Sequence, residues 1–463
     1  MYQYQSHLDT IAAIATATGP GGVAIVRLSG ARSIDVAGKI FFARSAGVPG
    51  SWKPNVLHYG WVKAASGAVV DEALAVVMRG PHSYTAEDTV EIHTHGGPAA
   101  VRATLDLCLA NGARLAEPGE FTRRAFINGR LDLAQAEAVL DMVSARTELM
   151  LRAANHQLNG DLSRELFSLR DILTTVYAGI EALLNFPEDD TEHGQLARVC
   201  RDVASVLTRI ETLLSTARGG VILREGVRMV ICGKPNVGKS SLLNALLKHE
   251  RAIVTDVAGT TRDTLEESFN LKGLPVNLVD TAGILTPRDK VEEEAVRRSY
   301  GSIASADLVL VVLDRSMPLE EIDRSLLSDS PAGAVIILNK SDLSPAFTPV
   351  DIQMSAPGRT VVEVSAFNRD GVSRLESVLL ASVLKGGSLD ANGVVLTNVR
   401  HIEALRQAAA ALQSSQQALN AKAPGEIISD GIKTAINRLD AITGRDIDTD
   451  ALDRIFSAFC IGK

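Results

Sequence analysis

The stretch Gly233-Lys-Pro-Asn-Val-Gly-Lys-Ser240 decides the fold of this 463-residue chain. It follows an apolar, β-branched segment at 227–232, which indicates a buried parallel strand. It precedes leucines and alanine at helical spacing in 242–247. Strand, glycine loop and helix in this order are the context that a phosphate-binding loop requires, because backbone N–H groups and a helix N-terminus then face the phosphates. A chance glycine turn before a surface helix is the alternative, and the flanking elements argue against it.

Three further segments follow in the order expected of a guanine-nucleotide switch: Asp280-Thr-Ala-Gly283, Asn339-Lys-Ser-Asp342 and Ser365-Ala366. A carboxylate at Asp342 can accept two N–H bonds from guanine, whereas adenine would leave it unpaired, and such a mismatch can reject an analogue by about 10⁴-fold. We expect the Lys340 stem to lie over the ring and the Ala366 N–H to bond the guanine oxygen. Taken alone, Asn-Lys-x-Asp would indicate only a solvated loop.

The hydrolytic groups are less obvious. Lys239 is expected to reach the β- and γ-phosphates, and the Ser240 hydroxyl to bind Mg²⁺. Ile284 stands where Ras-like enzymes place a water-orienting glutamine, so the water must be positioned from elsewhere or hydrolysis is very slow. Asn236 and the carbonyl groups of segment 255–263 could instead form an oxygen cage for a monovalent cation beside the phosphates.

These considerations give a set of nucleotide and metal ligands. The predicted nucleotide-binding residues are Gly233, Asn236, Val237, Gly238, Lys239, Ser240, Ser241, Thr255, Asp256, Val257, Ala258, Gly259, Thr260, Thr261, Asp280, Thr281, Ala282, Gly283, Asn339, Lys340, Asp342, Ser365 and Ala366. The predicted Mg²⁺ ligands are Ser240 and Thr261. The predicted ligands of the monovalent cation, which the family resemblance given below implies is K⁺, are Asn236, Thr255, Val257 and Thr260.

Composition limits the class of protein. The length suits about three domains. Four scattered cysteines without metal or disulfide spacing favour a reducing cytoplasm. No apolar run has membrane-spanning length, and Ile11-Ala-Ala-Ile-Ala is too short and lacks a basic flank for a signal peptide. A net charge of −8 predicts that any RNA contact is local or shared with a partner.

Several segments together resemble the tRNA-modification GTPases called MnmE or TrmE, over the whole chain. The segments that carry the resemblance are Leu223–Gly226, Lys234–Asn244, Ile253–Asp263 and Phe456-Ser-Ala-Phe-Cys-Ile-Gly-Lys463, with Gly21–Gly30, Ser83–Asp88, His95–Pro98, Pro118–Phe121 and Asn128–Glu137 in the N-terminal third. The terminal Phe-Cys-Ile-Gly-Lys is the most specific of them. Cys460 is fourth from the end, as in a prenylation box, but the last residue is basic, which argues against lipidation.

The resemblance and the periodicity together predict a multidomain α/β protein. Apolar segments predict strands at 23–28, 74–78, 90–94 and 334–338, and apolar residues at helical spacing predict helices at 98–109, 121–184, 196–217, 401–419 and 427–459. A Ras-like GTPase domain would be inserted in an all-α domain, and an α+β tetrahydrofolate-binding domain would precede both. The predicted ranges are 1–120 for tetrahydrofolate binding and dimerisation, 121–220 for the first helical part, 221–385 for the GTPase domain, and 386–463 for the second helical part. Insertion of one domain in another is tolerated where its ends lie close together.

The resemblance also implies an activity and partners. Family members act with a flavin-bearing protein, MnmG or GidA, in a heterotetramer on the wobble uridine of certain tRNAs, and add a carboxymethylaminomethyl-type group at C5. It implies 5,10-methylene- or formyl-tetrahydrofolate as one-carbon donor, a homodimer whose GTPase domains pair in K⁺, and neither DNA nor membrane as partner. Motif by motif, the folate contacts fall on Arg27, Glu91, Arg130 and Lys463. The catalytic residues would be Asn236, Glu292, which matches the water-positioning glutamate, and Cys460.

Some assignments keep alternatives. Cys460 is either a packed residue or a reactive thiol. His93 and His95 share a strand face, but two ligands do not make a metal site, and structural roles are favoured. Pro20, Leu285, Arg130 and Asn398-Val399 depart from common family residues. A ribosome-assembly GTPase of the same superfamily and a non-hydrolysing GTP-gated scaffold remain the competing functions.

Overall fold

The computed structural model describes residues 9–17, 19–44, 47–185, 192–249, 267–280, 306–384 and 393–463. The described residues form two compact units. The first contains residues within 1–140, 157–174 and 436–463, and the second contains residues within 141–156 and 175–435. Within the described ranges we find no helix that combines the length and the apolar character needed to cross a membrane.

The first unit is built on a seven-stranded sheet with the order β3-β4-β5-β6-β2-β1-β7. Its strands are β1 Ile11–Ile14, β2 Gly21–Ser29, β3 Phe41–Ala43, β4 His58–Lys63, β5 Val69–Met78, β6 Thr89–Gly96 and β7 Arg114–Leu115. All pairs are antiparallel except β1 with β7. The strands expected at 23–28, 74–78 and 90–94 lie inside β2, β5 and β6, and the helix expected from Pro98 is Pro98–Ala110. The segment at 11–15, considered only as a possible leader, supplies strand β1.

The alternation of buried and more exposed residues along strands such as β2 explains why helices cover one face of this sheet. Ala24, Val26 and Leu28 of β2 are buried, while the residues between them are less so. They join a core cluster with apolar residues of helices Ser33–Ile40 and Pro98–Ala110. Antiparallel strands of this kind cover one face and leave the other available. The polar side chains on that other face, including Arg27 and Glu91, form the site described below.

The second unit contains a six-stranded sheet with the order β13-β12-β11-β8-β10-β9. Its strands are β8 Val227–Cys232, β9 Glu267–Leu271, β10 Leu274–Asp280, β11 Leu308–Asp314, β12 Val335–Asn339 and β13 Thr360–Glu363. Only the edge pair β9–β10 is antiparallel. The central strands are almost continuously buried and apolar, as expected for parallel strands covered on both faces. The carboxyl ends of β8, β10, β11 and β12 therefore meet at one edge, where doubly wound sheets bind ligands.

Helices complete both units. Those of the nucleotide-type sheet are Lys239–His249, Glu321–Asp329, Pro349–Ser355 and Val372–Leu384. The remaining helices are Glu120–Ile127, Leu133–Ser144, Glu148–Leu158, Asp161–Asn185, Glu192–Ser215, Ala217–Glu225, Val399–Asn420, Gly425–Thr443 and Thr449–Ser457, with a 3₁₀ turn at Pro49–Ser51. Helices were expected across 121–184, 196–217, 401–419 and 427–459. The α/β nucleotide domain and the helical segments are as predicted, while the four domain ranges stay predictions.

Candidate functional site

The glycine loop after β8 has the backbone that its sequence demands. Gly233 and Gly238 have φ of 152° and 94°, and Asn236 lies in the left-handed region with φ of 64°. A Cβ at Gly238 would collide with the Asn339 side-chain amide. Lys239 begins the following helix, and its Nζ donates to the carbonyl oxygens of Gly233 and Lys234, each at 2.8 Å. The loop is therefore folded around the Lys239 ammonium group, with Asn236 and Ser240 exposed.

Asn339, the last residue of β12, ties the predicted segments together. Its side chain is buried, its Nδ2 donates to the Val237 carbonyl oxygen at 2.8 Å, and its Oδ1 accepts from the Ala366 N–H at 3.1 Å. One amide thus joins the phosphate loop to the Ser365-Ala366 segment. Because the Ala366 N–H is given to Asn339 here, a guanine oxygen would have to share or replace that bond.

Asp342 is held by the buried Ser365. The Ser365 hydroxyl donates to Asp342 Oδ1 at 2.6 Å and accepts from the Asn368 N–H at 3.1 Å. Ser365 is fully buried, whereas Asp342 is exposed. The carboxylate therefore has a fixed direction and remains open to a ligand, which is the geometry that recognition of two N–H groups requires.

Sequence reasoning missed three ion pairs at this edge. Asp314, which ends β11, lies 2.6 Å from Lys340 Nζ. Burial opposes ionisation of Asp314, but hydrogen bonds from Lys340 and Ser316 outweigh it and lower the carboxyl pKa below its usual value. Lys234 of the loop contacts Asp323 at 2.7 Å and Glu320 at 3.1 Å. A carboxylate ending a parallel strand beside the loop was the available signal for Asp314.

Part of the predicted nucleotide site lies outside the described residues. These residues are Thr255, Asp256, Val257, Ala258, Gly259, Thr260, Thr261, Thr281, Ala282, Gly283, Ile284, Leu285 and Glu292. Asp280 is described only as the backbone end of β10. The phosphate loop and the two base-reading segments are brought together, while the metal and water ligands of those other segments stay predictions.

Three of the predicted folate contacts, Arg27, Glu91 and Arg130, come together in the first unit, and the backbone of Lys463 is connected to them through Phe121. Arg27 Nε lies 2.8 Å from Glu91 Oε1, and the two residues are cross-strand partners on β2 and β6. The Arg27 guanidinium lies 5.2 Å from the Tyr84 ring centroid, and that of Arg130 lies 5.0 Å from the same ring. Arg130 also donates to the Tyr84 carbonyl oxygen at 3.0 Å. Tyr84 thus joins Arg27 to Arg130.

Phe121 makes the second connection. Its ring centroid lies 5.6 Å from the Arg27 guanidinium, and its N–H donates to the Lys463 carbonyl oxygen at 3.2 Å. The C-terminal residues are fixed further by a bridge between Pro118 and Ile461. Neither Tyr84 nor Phe121 was singled out as a site residue, because their contacts span dozens of residues in sequence.

The remaining candidates have defined surroundings. His93 Nε2 lies 3.3 Å from Glu91 Oε2, and His95 Nδ1 lies 2.7 Å from Asp71. Burial opposes ionisation of Glu91, but the hydrogen bond from His93 and the Arg27 charge lower its pKa. Cys460 is exposed, which contradicts its interpretation as a packed residue and leaves the reactive-thiol role as a prediction. The described part of the chain holds no cluster of three or more His, Cys, Asp or Glu residues suited to a metal.

A buried ion network supports the helix that carries Phe121. Arg124 is 2% exposed and contacts Asp9 at 2.7 Å, Glu120 at 2.9 Å and Glu87 at 3.2 Å. Arg114 binds both oxygens of Glu120, at 2.6 and 2.8 Å. Burial opposes ionisation of Glu120, but hydrogen bonds from Arg114, the Glu117 N–H and Arg124 together outweigh it and lower the carboxyl pKa. Sequence spacing could not reveal these long-range pairs.

Comparison with known proteins covers nearly the whole chain. Residues 133–460 match the model described as MnmE helical domain, and residues 10–130 match the model described as GTP-binding protein TrmE N-terminus. The chain is 46% identical to the tRNA modification GTPase MnmE of Symbiobacterium thermophilum, over 98% of this chain and 99% of the relative. It is also 46% identical to that of Chloroflexus aurantiacus, over 98% of this chain and 100% of the relative. Among solved structures, the G domain of the T. maritima FeoB iron transporter is 27% identical over 34% of this chain and 98% of that chain, with a TM-score of 0.28.

Proposed function

Since the chain belongs to the MnmE family of tRNA modification GTPases, we propose that it hydrolyses GTP to drive modification of the wobble uridine of certain tRNAs at C5. The added group would be of the carboxymethylaminomethyl type. The reaction would use a tetrahydrofolate one-carbon unit and a flavin-bearing partner of the MnmG (GidA) type, in a heterotetramer built on a homodimer. The observation that carries the nucleotide part is the Asn339 side chain, which joins the phosphate loop to the base-reading segment.

In the proposed nucleotide site, backbone N–H groups of the glycine loop and the Lys239 ammonium bind the phosphates. Lys239 now donates to two loop carbonyls, and a β/γ-phosphate would take over those donors. The exposed Ser240 hydroxyl, at a helix N-terminus, suits Mg²⁺ together with Thr261. Mg²⁺, when bound, would neutralise phosphate charge.

Base choice is assigned to Asp342, because its carboxylate is exposed and oriented by Ser365. Asp342→Asn should lose guanine affinity and gain xanthine affinity, since xanthine offers an acceptor where guanine offers an amino donor. Competition binding with GDP and xanthosine diphosphate measures the change. Asp329→Asn, which alters an exposed carboxylate at the end of helix Glu321–Asp329, is the control. An unchanged guanine preference in Asp342→Asn would remove Asp342 from the site.

Hydrolysis is proposed to depend on K⁺ held by Asn236, Thr255, Val257 and Thr260, and on Glu292. Asn236 supports this proposal because it is exposed and lies in the left-handed region, where strained residues often serve ligands. A cation in that position would supply charge beside the phosphates. GTP turnover should be faster in K⁺ than in Na⁺ at matched ionic strength, and Asn236→Ala should abolish the difference while exposed Asn368→Ala preserves it. Equal rates in both salts for the unmodified protein would reject the cation site.

Glu292 is proposed to position the attacking water, because Ile284 has no group able to do so. Glu292→Ala should slow single-turnover hydrolysis but leave GDP affinity nearly unchanged, since the residue is assigned to the chemical step. Glu293→Ala and Glu294→Ala are matched controls, because their sequence positions predict carboxylates in the first turn of a helix, where they suit the helix dipole. Normal turnover in Glu292→Ala would contradict the assignment.

The folate site is proposed at Arg27, Glu91, Arg130 and Lys463. Pterin N–H groups suit a carboxylate whose pKa is lowered, and the glutamate tail suits basic side chains. Cys460 is a candidate reactive thiol nearby in sequence. The donor set fits the group: it offers one anion, Glu91, and two cations, Arg27 and Arg130, around Tyr84 and Phe121, while the backbone of Lys463 is bonded to Phe121.

The C-terminal contribution is best tested by a point substitution. Removal of the last four residues would also break the Phe121–Lys463 backbone bond and the Pro118–Ile461 bridge, so it could disturb the fold. Lys463→Ala keeps the backbone bond and removes only the ammonium group. Calorimetry with formyl-tetrahydrofolate should show weaker binding than for Lys39→Ala, at an exposed lysine elsewhere in the unit. Undiminished binding by Lys463→Ala would exclude its side chain.

The biological assignment is tested by mass spectrometry of wobble nucleosides from cells that lack this protein. Loss of the C5 modification, restored by the unmodified chain but not by Lys463→Ala, would support the proposal. A normal nucleoside profile together with defective ribosomes would replace it with the ribosome-assembly function.

A further inference from the structure

The Asp314 carboxylate is fixed at both oxygens. Oδ2 lies 2.6 Å from Lys340 Nζ, and Oδ1 accepts from the Ser316 N–H at 2.9 Å and the Ser316 hydroxyl at 2.6 Å. The Asp314 and Lys340 side chains are 12% and 33% exposed. A charge-assisted bond between partly buried groups is stronger than one at an open surface. The tip of Lys340 therefore has one preferred position.

The sheet brings these two residues together. Asp314 and Asn339 are register partners at the carboxyl ends of the parallel strands β11 and β12, and the Arg315 N–H donates to the Asn339 carbonyl oxygen at 3.0 Å. Lys340 follows Asn339 with φ of 63°. The left-handed region is unfavourable for a lysine, so its conformation is maintained by the surroundings. The strand pairing fixes its backbone, and Asp314 fixes the end of its side chain.

The consequence is a defined path for the lysine stem. A free lysine has four rotatable side-chain bonds, and holding both ends removes most of that freedom before a ligand arrives. The stem is apolar and starts beside Asn339, whose amide reaches the phosphate loop and the Ala366 N–H. A flat ring bound at Asp342 would lie against such a stem.

We propose that Asp314 is a positioning residue for the purine ring: by holding the Lys340 ammonium, it keeps the lysine stem over the base. This inference rests on the guanine site proposed above. It differs from the role of Asp342, because a stem that covers the ring contacts every purine alike and reads no exocyclic group. Asp314 therefore sets the affinity for the ring, and Asp342 sets the choice of base.

A double-mutant cycle in the full-length protein tests the proposal. Asp314→Asn keeps the shape and removes the charge, and we expect GDP to bind about tenfold more weakly. Lys340→Ala should cost at least as much, and Asp314→Asn added to Lys340→Ala should cost nothing further, because Asp314 acts only through Lys340. Asp307→Asn is the matched control, since Asp307 lies just before β11 at the opposite sheet edge and accepts from the Arg228 N–H at 2.9 Å.

A second ligand separates positioning from general destabilisation. Inosine diphosphate keeps the purine ring but lacks the 2-amino group, so Asp314→Asn should weaken both diphosphates by the same factor. Asp342→Asn should change the ratio between guanine and xanthine nucleotides whether or not Asp314 acts as proposed. If Asp342→Asn left the ratio of guanine to xanthine nucleotide affinity unchanged, the guanine site itself would be rejected.

Three results would overturn the role of Asp314. The first is unchanged GDP affinity in Asp314→Asn, even with a lowered melting temperature, which would make the ion pair a matter of stability alone. The second is a double mutant whose loss of GDP affinity equals the sum of the losses, in free energy, of the two single mutants. The third is a loss confined to GDP, which would place Asp314 in base selection.

Discussion

Replacing Asn339 by alanine should uncouple the phosphate loop from the base-reading segment. The substitution removes two hydrogen bonds at once, to the Val237 carbonyl oxygen at 2.8 Å and from the Ala366 N–H at 3.1 Å. Asn339 is 2% exposed, so water cannot readily replace its amide. Both partner groups belong to the backbone and would remain in place without a partner.

The magnitude follows from the burial of those partners. A buried polar group left without a bond costs about 1–3 kcal/mol. Val237 is buried, whereas the Ala366 N–H can be taken up by the guanine oxygen, so we expect about 2 kcal/mol from the Val237 carbonyl oxygen, which corresponds to about 30-fold in binding. Asn339→Asp should be at least as damaging, because it would set a carboxylate oxygen against the Val237 carbonyl oxygen.

The assay is fluorescence titration with a labelled GDP, together with thermal unfolding of the same samples. Asn368→Ala is the control: its side chain is exposed, and the Asn368 N–H that bonds Ser365 is retained. Asn339→Ala should bind at least tenfold more weakly than this control. Equal affinity would show that the two bonds do not organise the site, and a better affinity for Asn339→Asp than for Asn339→Ala would refute the assigned amide orientation.

Three further outcomes are expected. Gly238→Ala should nearly abolish GDP binding, because the new Cβ would collide with the Asn339 side-chain amide and a φ of 94° disfavours any side chain. The same fluorescence titration measures this loss of affinity. Glu120 has a folded pKa below its unfolded value of about 4.5, so its stabilising contribution is present above that pH and is lost as pH falls through the folded pKa. The difference in urea-unfolding free energy between the unmodified protein and Glu120→Gln should therefore shrink on acidification. A difference that stays constant with pH would reject an ionised Glu120 in these ion pairs. Tyr84→Leu should weaken folate binding about five- to tenfold by removing the ring that Arg27 and Arg130 contact, while Tyr84→Phe should bind normally in calorimetry.

The parallel sheet could be predicted because its strands leave a local signal. Val227–Cys232 and Val335–Asn339 are apolar runs that lead directly into polar motifs, and both strands lie where they were expected. The β9–β10 hairpin was missed, although Lys272 and Gly273 form its turn with φ of 48° and 97°. A Lys-Gly pair is a weaker turn signal than Asn-Gly, and the flanking strands are short.

The N-terminal sheet was only partly predictable for a related reason. The apolar residues of Ile11–Ile14 do not alternate with polar ones, so the sequence shows no strand pattern there. The segment forms a strand because it pairs with β2 and β7. The pairs Asp9–Arg124 and Asp314–Lys340 are 115 and 26 residues apart in sequence. No periodicity connects such positions, so the network and the lysine anchor appear only when the chain is folded. Sequence motifs therefore predict which residues bind a ligand, whereas ion pairs between residues distant in sequence determine how those side chains are positioned.

The Asn-Lys-x-Asp segment illustrates this division within four residues. Asn339 points inward and bonds protein backbone on both sides, whereas Asp342 is exposed and is oriented by a single buried hydroxyl. Lys340 lies between these extremes, anchored by Asp314 but one-third exposed. A substitution at the inward position should therefore weaken every nucleotide that needs the phosphate loop, whichever base it carries. A substitution at the outward position should change which base is preferred while the loop keeps its geometry. In the proposed site, the affinity for the phosphates would thus be separated from the choice of base, although both depend on one short segment of sequence.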